Sequence, residues 1–331
     1  MNNKTKYNGL IRWGIIGCGN VTEVKSGPAY KLVNGFLITA VMRRDVEKLK
    51  DYAKRHNIDK YYTNAEELIN DNEIDAVYIA TPPDSHMYYA LKVAAAGKPC
   101  CIEKPLSPSY KDSLAIYDSF KNKNIPLFVA YYRRSLPRFL QIKNWLENKD
   151  IGEVRHISWF LSRAPNDKDL SGVYNWRTDP KIATGGYFDD LASHGLDLFT
   201  FLLGDINQVT GLSHNQQQLY LAKDAITACW MHESGITGTG SWNFGCHKVE
   251  DRVEIFGSKG KIQFSVFEEK ALILETDDEQ QEVLIENPKN IQLYHIENMK
   301  KELLDGNYIH PSNGSTATHT SWVMDKILGK I

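Results

Sequence analysis

The run Leu10-Ile11-Arg12-Trp13-Gly14-Ile15-Ile16-Gly17-Cys18-Gly19-Asn20-Val21-Thr22 decides how the first third of the chain is read. Residues 10–16 are short and almost wholly apolar, which suits a strand buried on both faces. Gly17 permits a tight turn directly behind it, and Gly19 lets the backbone approach a ligand closely. With a helix starting next, Cys18, Asn20 and Val21 lie where backbone N–H groups and a partial positive charge would meet a dinucleotide pyrophosphate. Thr22 fills the third small position of that fingerprint, which sets the helix slightly further from the strand.

Four more apolar runs follow, at residues 36–42, 76–80, 99–102 and 126–130. Between them the pattern predicts helices over 45–56, with Asp45 as N-cap, over 84–96, ending at Gly97, and over 110–123. Continuous apolar strands joined by helices imply a doubly wound α/β domain with a parallel sheet. It should end near residue 131, giving domains 1–131 and 132–331, with a bridging helix over 136–149. Beyond Ile151 the texture changes. A strand at 154–162 leads through a loop carrying Pro165, Gly172 and Pro180 to a helix over 188–203, stopped by Gly204. Strand-like runs at 225–231, 236–243, 249–256, 261–265 and 271–275 succeed one another without helices, which implies an antiparallel sheet. Two closing helices, 291–304 and 315–328, are expected to pack back on the first domain.

Composition narrows the function classes. A chain of 331 residues exceeds the size of a single core, so two domains are expected. With 39 Lys+Arg against 41 Asp+Glu, and no basic run longer than a pair, nothing points to nucleic acid. No apolar run reaches the length of a membrane span, and residues 1–9 lack the apolar core of a signal peptide. The five cysteines (18, 100, 101, 229, 246) form no C-x-x-C pair and suit reduced thiols in the cytoplasm, with no metal site expected.

Four further segments carry candidate chemistry. The second strand ends in Arg43-Arg44 where an acidic ribose-binding residue would stand. Two guanidinium groups suit a 2′-phosphate, which favours NADP over NAD, unless both are merely solvated. Thr81-Pro82-Pro83-Asp84-Ser85-His86 and Glu103-Lys104-Pro105 follow the third and fourth runs, on the side where ligands bind in this architecture. Lys104 is either a partly desolvated proton donor or half of a surface Glu-Lys pair. Asp190 and His194 stand four apart on the helix after Gly185-Gly186, and Asp197 continues their face. They read as an acid/base pair, or as a capping Asp with a buried His.

Taken in order, Gly17-x-Gly19, Thr81-Pro82-x-x-x-His86, Glu103-Lys104-Pro105 and Asp190-x-x-x-His194-x-x-Asp197 resemble the Gfo/Idh/MocA oxidoreductases. That resemblance implies a Rossmann domain followed by an α+β domain with a large open, mostly antiparallel sheet, whose face pairs copies into homodimers or homotetramers. It implies catalytic roles for Lys104, His194 and Asp190, a cofactor side including Thr81, Pro82, Pro83, His86 and Glu103, and a substrate pocket including Tyr132, Arg133, Trp176 and Arg177. Thr184 stands where the family often has the first of three glycines. The expected activity is NADP(H)-dependent hydride transfer, NAD also being possible, to or from a sugar, polyol or cyclic diol. Two alternatives from the same family are a glycoside hydrolase that keeps NAD bound and a dinucleotide-sensing regulator without catalysis.

Overall fold

The computed structural model describes residue 7, residues 9–304 and residues 307–331. The reading of residues 1–9 as lacking a signal-peptide core therefore falls mostly outside the described residues. The chain divides into two compact units, Met1–Ser135 with Pro288–Thr318, and Leu136–Asn287 with His319–Ile331.

In the first unit, β1 (Ile11–Ile16), β2 (Phe36–Met42), β3 (Lys60–Tyr62), β4 (Ala76–Ile79), β5 (Cys100–Ile102) and β6 (Leu127–Val129) form one parallel sheet. Its order is β3-β2-β1-β4-β5-β6, the doubly wound arrangement with a crossover on either side of β1. One face is filled by Trp13, Tyr30, Phe36 and Tyr78, whose rings pack at centroid distances of 5.0–5.3 Å from Trp13 to Tyr30 and Phe36 and from Tyr30 to Tyr78. The other buries Ile16, Val77, Ile79, Ile102, Ile116 and Phe120. Burial on both faces is why the strands read as unbroken apolar runs. β3 escaped the sequence reading because Lys60-Tyr61-Tyr62 is short and only half buried; pairing with Ala40–Met42 makes it a strand.

The helices of this unit are α1 (Asn20–Val24), α2 (Ser26–Leu32), α3 (Val46–His56), α4 (Ala65–Asn70), α5 (His86–Ala95) and α6 (Tyr110–Lys121). Asp45 caps α3 by accepting the Lys48 N–H at 3.1 Å. The expected helix over 84–96 begins instead with a 3₁₀ turn, Pro83–Ser85, ahead of α5, because proline pre-sets a turn start but donates no N–H.

The second unit holds α7 (Pro137–Glu147), α8 (Asp167–Ser171), α9 (Tyr187–Leu203) and eight strands: β7 (Val154–Ser162), β8 (Ile206–His214), β9 (Ala225–His232), β10 (Thr237–Asn243), β11 (Glu250–Gly257), β12 (Gly260–Phe264), β13 (Leu272–Thr276) and β14 (Gln280–Val283). They form one sheet in the order β14-β13-β12-β11-β7-β10-β9-β8. The pairing is antiparallel with one exception. β7 runs parallel to β10, which corrects the purely antiparallel sheet read from the strand succession. β8 and β14 carried no strand signal, being polar and largely exposed.

Burial alternates along β7, β9, β10 and β11, so one face is packed and the other open. The packed face carries Trp159, Trp230 and Trp242 against Phe188 and Phe199 of α9. Gly195 lies where a Cβ would overlap the Trp159 ring, so glycine sets how closely α9 approaches the sheet. Of the closing helices, α10 (Leu293–Leu304) packs on α2 in the first unit, and α11 (Gly314–Ile327) is divided at Thr318/His319.

Candidate active site

The glycine loop is built as a close strand-to-strand contact. Gly17 has φ +93°, and a Cβ there would meet Thr81 Cγ2 at 2.6 Å and Thr81 N at 3.0 Å, whereas Gly19 is open. The Gly17 N–H donates to the Met42 carbonyl at 2.9 Å. Thr22, fully buried, ties the loop to itself: its hydroxyl accepts the Gly19 N–H at 3.0 Å and donates to the Gly19 carbonyl at 2.8 Å. The helix expected behind this loop is α1, only five residues, broken at Lys25. What faces a ligand is therefore the first turn at Asn20 and Val21, whose N–H groups have no preceding helical carbonyl. Burial pushes the Cys18 thiol up to about 11 despite the nearby Arg43, so it stays a neutral thiol.

At the end of β2, the Arg43 Nη1 donates to the Cys18 carbonyl at 2.8 Å and braces the loop. Arg44 is exposed, and Asp45 is used as the cap of α3. The third and fourth candidate segments are joined by His86. It is fully buried; its Nε2 lies 2.8 Å from the Thr81 carbonyl and its Nδ1 3.1 Å from the Pro105 carbonyl. Burial holds its pKa below the ordinary value. His86 thus fastens the β4 loop to the β5 loop and is a positioning residue. Pro83 is buried under the same turn while Pro82 is exposed. Glu103, 8% exposed, accepts the Tyr78 hydroxyl at 2.6 Å and the Gln292 amide at 2.9 Å, which anchors the strand end just before Lys104.

Lys104 is half-buried and joined to Pro105 by a cis peptide bond. Together with Lys25 and Arg133 it surrounds Tyr132, with the Arg133 guanidinium 5.0 Å from that ring's centre. Burial alone would push the Tyr132 phenol up, but the cations Arg133, Lys25 and Lys104 outweigh it and hold the pKa below its ordinary value. The sequence reading missed Lys25, which sits at the break between two short helices that carry no periodic signal.

In the second unit, the Asp190 Oδ2 accepts Arg177 Nε at 2.6 Å, and the Arg177 guanidinium lies 4.3 Å from the Trp176 ring centre. Asn175 caps that turn by accepting the Arg177 N–H at 3.2 Å. His194, 5% exposed, meets Phe267 edge to face at 5.9 Å. Asp197 is wholly buried and accepts the Thr320 hydroxyl at 3.2 Å, so it supports α9 from within. Asp189, unremarked in the sequence, is buried and held up to about 6, although it accepts the Gly185 N–H at 2.9 Å. Among the described residues, no group of three or more His, Cys, Asp or Glu is placed to hold a metal ion.

Residues 11–131 match the oxidoreductase family with NAD-binding Rossmann fold, and residues 139–263 match the GFO/IDH/MocA C-terminal domain. An oxidoreductase of Formosa agariphila is 35% identical over 96% of this chain and 98% of its own. The chain belongs to the Gfo/Idh/MocA oxidoreductase family. It is accordingly an NAD(P)-dependent dehydrogenase or reductase. The myo-inositol 2-dehydrogenase of Thermotoga maritima is 26% identical over 81% of this chain and 79% of its own. The fold matches levoglucosan dehydrogenase in complex with NADH and levoglucosan at TM-score 0.85 and 21% identity, covering 96% of both chains.

Proposed function

We propose that this Gfo/Idh/MocA oxidoreductase exchanges hydride between NADP(H) and a secondary alcohol or carbonyl of a sugar, polyol or cyclic diol. The observation that carries the reading is topological. Gly17, Arg43, Thr81, Lys104 and Tyr132 all follow the carboxyl ends of parallel strands, the edge at which such sheets take their ligands. The open Gly19 backbone and the first turn of α1 fit a pyrophosphate. Exposed Arg44 stands behind β2 with no hydrogen-bond or ion-pair partner among the described residues, and suits a 2′-phosphate while Arg43 braces the loop.

When bound, the nicotinamide supplies the hydride acceptor or donor. In the oxidative direction His194 takes the proton of the substrate hydroxyl, and the Lys104 ammonium stabilises the alkoxide as charge develops. Asp190 holds Arg177 and, through it, the Trp176 turn that lines the substrate side. The names of the relatives, an inositol dehydrogenase and a levoglucosan dehydrogenase, support the substrate class. The five free thiols support a cytoplasmic setting. The open sheet face, with Thr227, Cys229, Thr237 and Thr239 exposed, is the surface we assign to pairing with another copy.

The test is a binding titration with NADP(H) and NAD(H), followed by a panel of sugars and polyols scored by nicotinamide absorbance. Tighter NADP binding with turnover of a polyol or aldose is expected. NAD binding tighter than NADP would overturn the cofactor preference, and glycoside cleavage without net cofactor reduction would overturn the reaction.

A further inference from the structure

The loop after β12 is pinned from below by one carboxylate. Asp251, 5% exposed, accepts the Trp159 indole N–H at 2.9 Å, the Ser265 hydroxyl at 2.5 Å and the Phe267 backbone N–H at 2.7 Å. The same Trp159 ring supports α9 at Gly195. Phe267 is thereby held in place, and two groups share its ring: His194 at 5.9 Å edge to face, and the Arg163 guanidinium at 5.5 Å from its centre.

Arg163 differs from the other cations of this unit. Arg177 is paired with Asp190, Arg252 with Glu250 and Glu254, Lys143 with Glu147 and Lys330 with Asp325. Among the described residues, Arg163 has no carboxylate partner, and its Nε is buried with no hydrogen-bond partner. A buried donor left unmet costs about 1–3 kcal/mol, so folded proteins keep such groups where something else meets them. Arg163 stands immediately beyond β7, its backbone fixed by bonds to Asn243 and Cys246. Its side chain lies across one phenyl ring from the imidazole that takes the substrate proton.

We propose that Arg163 binds an anionic substituent, carboxylate or phosphate, on the sugar substrate, so that the enzyme acts on acidic rather than neutral sugars. The guanidinium fork matches either anion in two parallel charge-assisted bonds. Phe267 is the spacer: it holds the cation close to the reacting carbon, yet keeps it from taking up the alkoxide. This inference rests on the reading of His194 as acid/base.

The experiment compares kcat/KM for D-glucuronate, D-gluconate and glucose 6-phosphate with D-glucose and D-glucitol, in the parent enzyme and in Arg163→Met and Arg163→Lys. The parent is expected to favour an acidic member at least tenfold. Arg163→Met should lower that acid-to-neutral ratio by about tenfold or more, chiefly through KM for the acid. Arg163→Lys should fall between, since it keeps charge and loses the fork. Carboxylate and phosphate arms separate the two anions. Cofactor reduction with neutral sugars and no preference for acids overturns this inference alone, as does an unchanged ratio in Arg163→Met with its melting temperature preserved. No reduction with any member of either group overturns the underlying reading as well.

Discussion

In the first unit, chemistry is delivered by strand ends; in the second, it rests on one helix and the loops packed beside it. Every candidate of the first unit follows a strand of a single parallel sheet, so topology alone brings Gly17, Arg43, Thr81, Lys104 and Tyr132 to one edge. In the second unit, Asp190 and His194 share a face of α9, but their neighbours come from distant chain. Arg177 lies 13 residues before Asp190, while Phe267 lies more than 70 residues after His194 and is held by Asp251. The difference teaches that a site made by sheet topology survives in local motifs, whereas a site made by packing on a helix does not.

The strongest way to break this comparison is to remove the chemical group from each side. Lys104→Ala and His194→Ala should each lose roughly a hundred- to ten-thousand-fold in kcat while NADP binding persists. Steady-state rates with a fluorescence titration of NADPH check this; a variant within tenfold of the parent would remove that residue from the mechanism.

Acid sensitivity should come from the first unit. Burial holds His310 down at about 4, with its Nδ1 accepting the Ser312 N–H at 2.9 Å and its Nε2 facing the His295 carbonyl at 3.0 Å. Buried His295 is likewise held well below its ordinary value, with His310 close by. Above pH 6.5 neither folded nor unfolded His310 carries the proton. Between pH 6.5 and 4 only the unfolded chain takes it up, so stability falls as pH falls, by about 3 kcal/mol for His310. Urea unfolding at pH 7 and pH 4.5 measures the loss. His310→Gln should flatten the slope, and an equal slope in that variant would locate the acid sensitivity elsewhere.

Two glycines sharpen the contrast at smaller magnitude. Gly17→Ala adds a clash with Thr81 to a left-handed φ, for a cost of about 2–3 kcal/mol and weakened cofactor binding. Gly172→Ala in the second unit has φ +68° and open space, and should cost only about 1 kcal/mol. Equal melting shifts for the two would mean that the Gly17–Thr81 approach contributes nothing. The smallest effect belongs to Arg44→Ser, which should lower the ratio of NADP to NAD affinity by about tenfold. An unchanged ratio would leave Arg44 as a solvated surface residue.

Much of the fold was legible because burial on both faces of the parallel sheet leaves uninterrupted apolar runs, and Asp45 and Gly204 mark helix ends with known backbone chemistry. β3, β8 and β14 were not legible, since short or solvent-facing strands owe their form to a partner's ladder. Helices α1 and α2 were missed for a related reason: with five and seven residues, they are too short to show a period. Among candidate residues, the motif positions were visible but their duties were not. His86 and Glu103, expected on the cofactor side, prove to hold loops in place, and Asp197 supports α9 through Thr320.

By itself, the amino-acid sequence determined that this protein has a Rossmann-type first unit, a glycine loop for an anionic cofactor, and an acid/base-capable helix. Those properties reside in residue types at fixed local spacing, which the backbone converts directly into turns, faces and strand ends. Only the tertiary structure decided that Thr22 locks the loop, that Lys25 joins Lys104 and Arg133 around Tyr132, and that Asp251 fixes Phe267 between His194 and Arg163. Such contacts join residues far apart in the chain, and what sets them is close packing, to which no local pattern of sequence is sensitive.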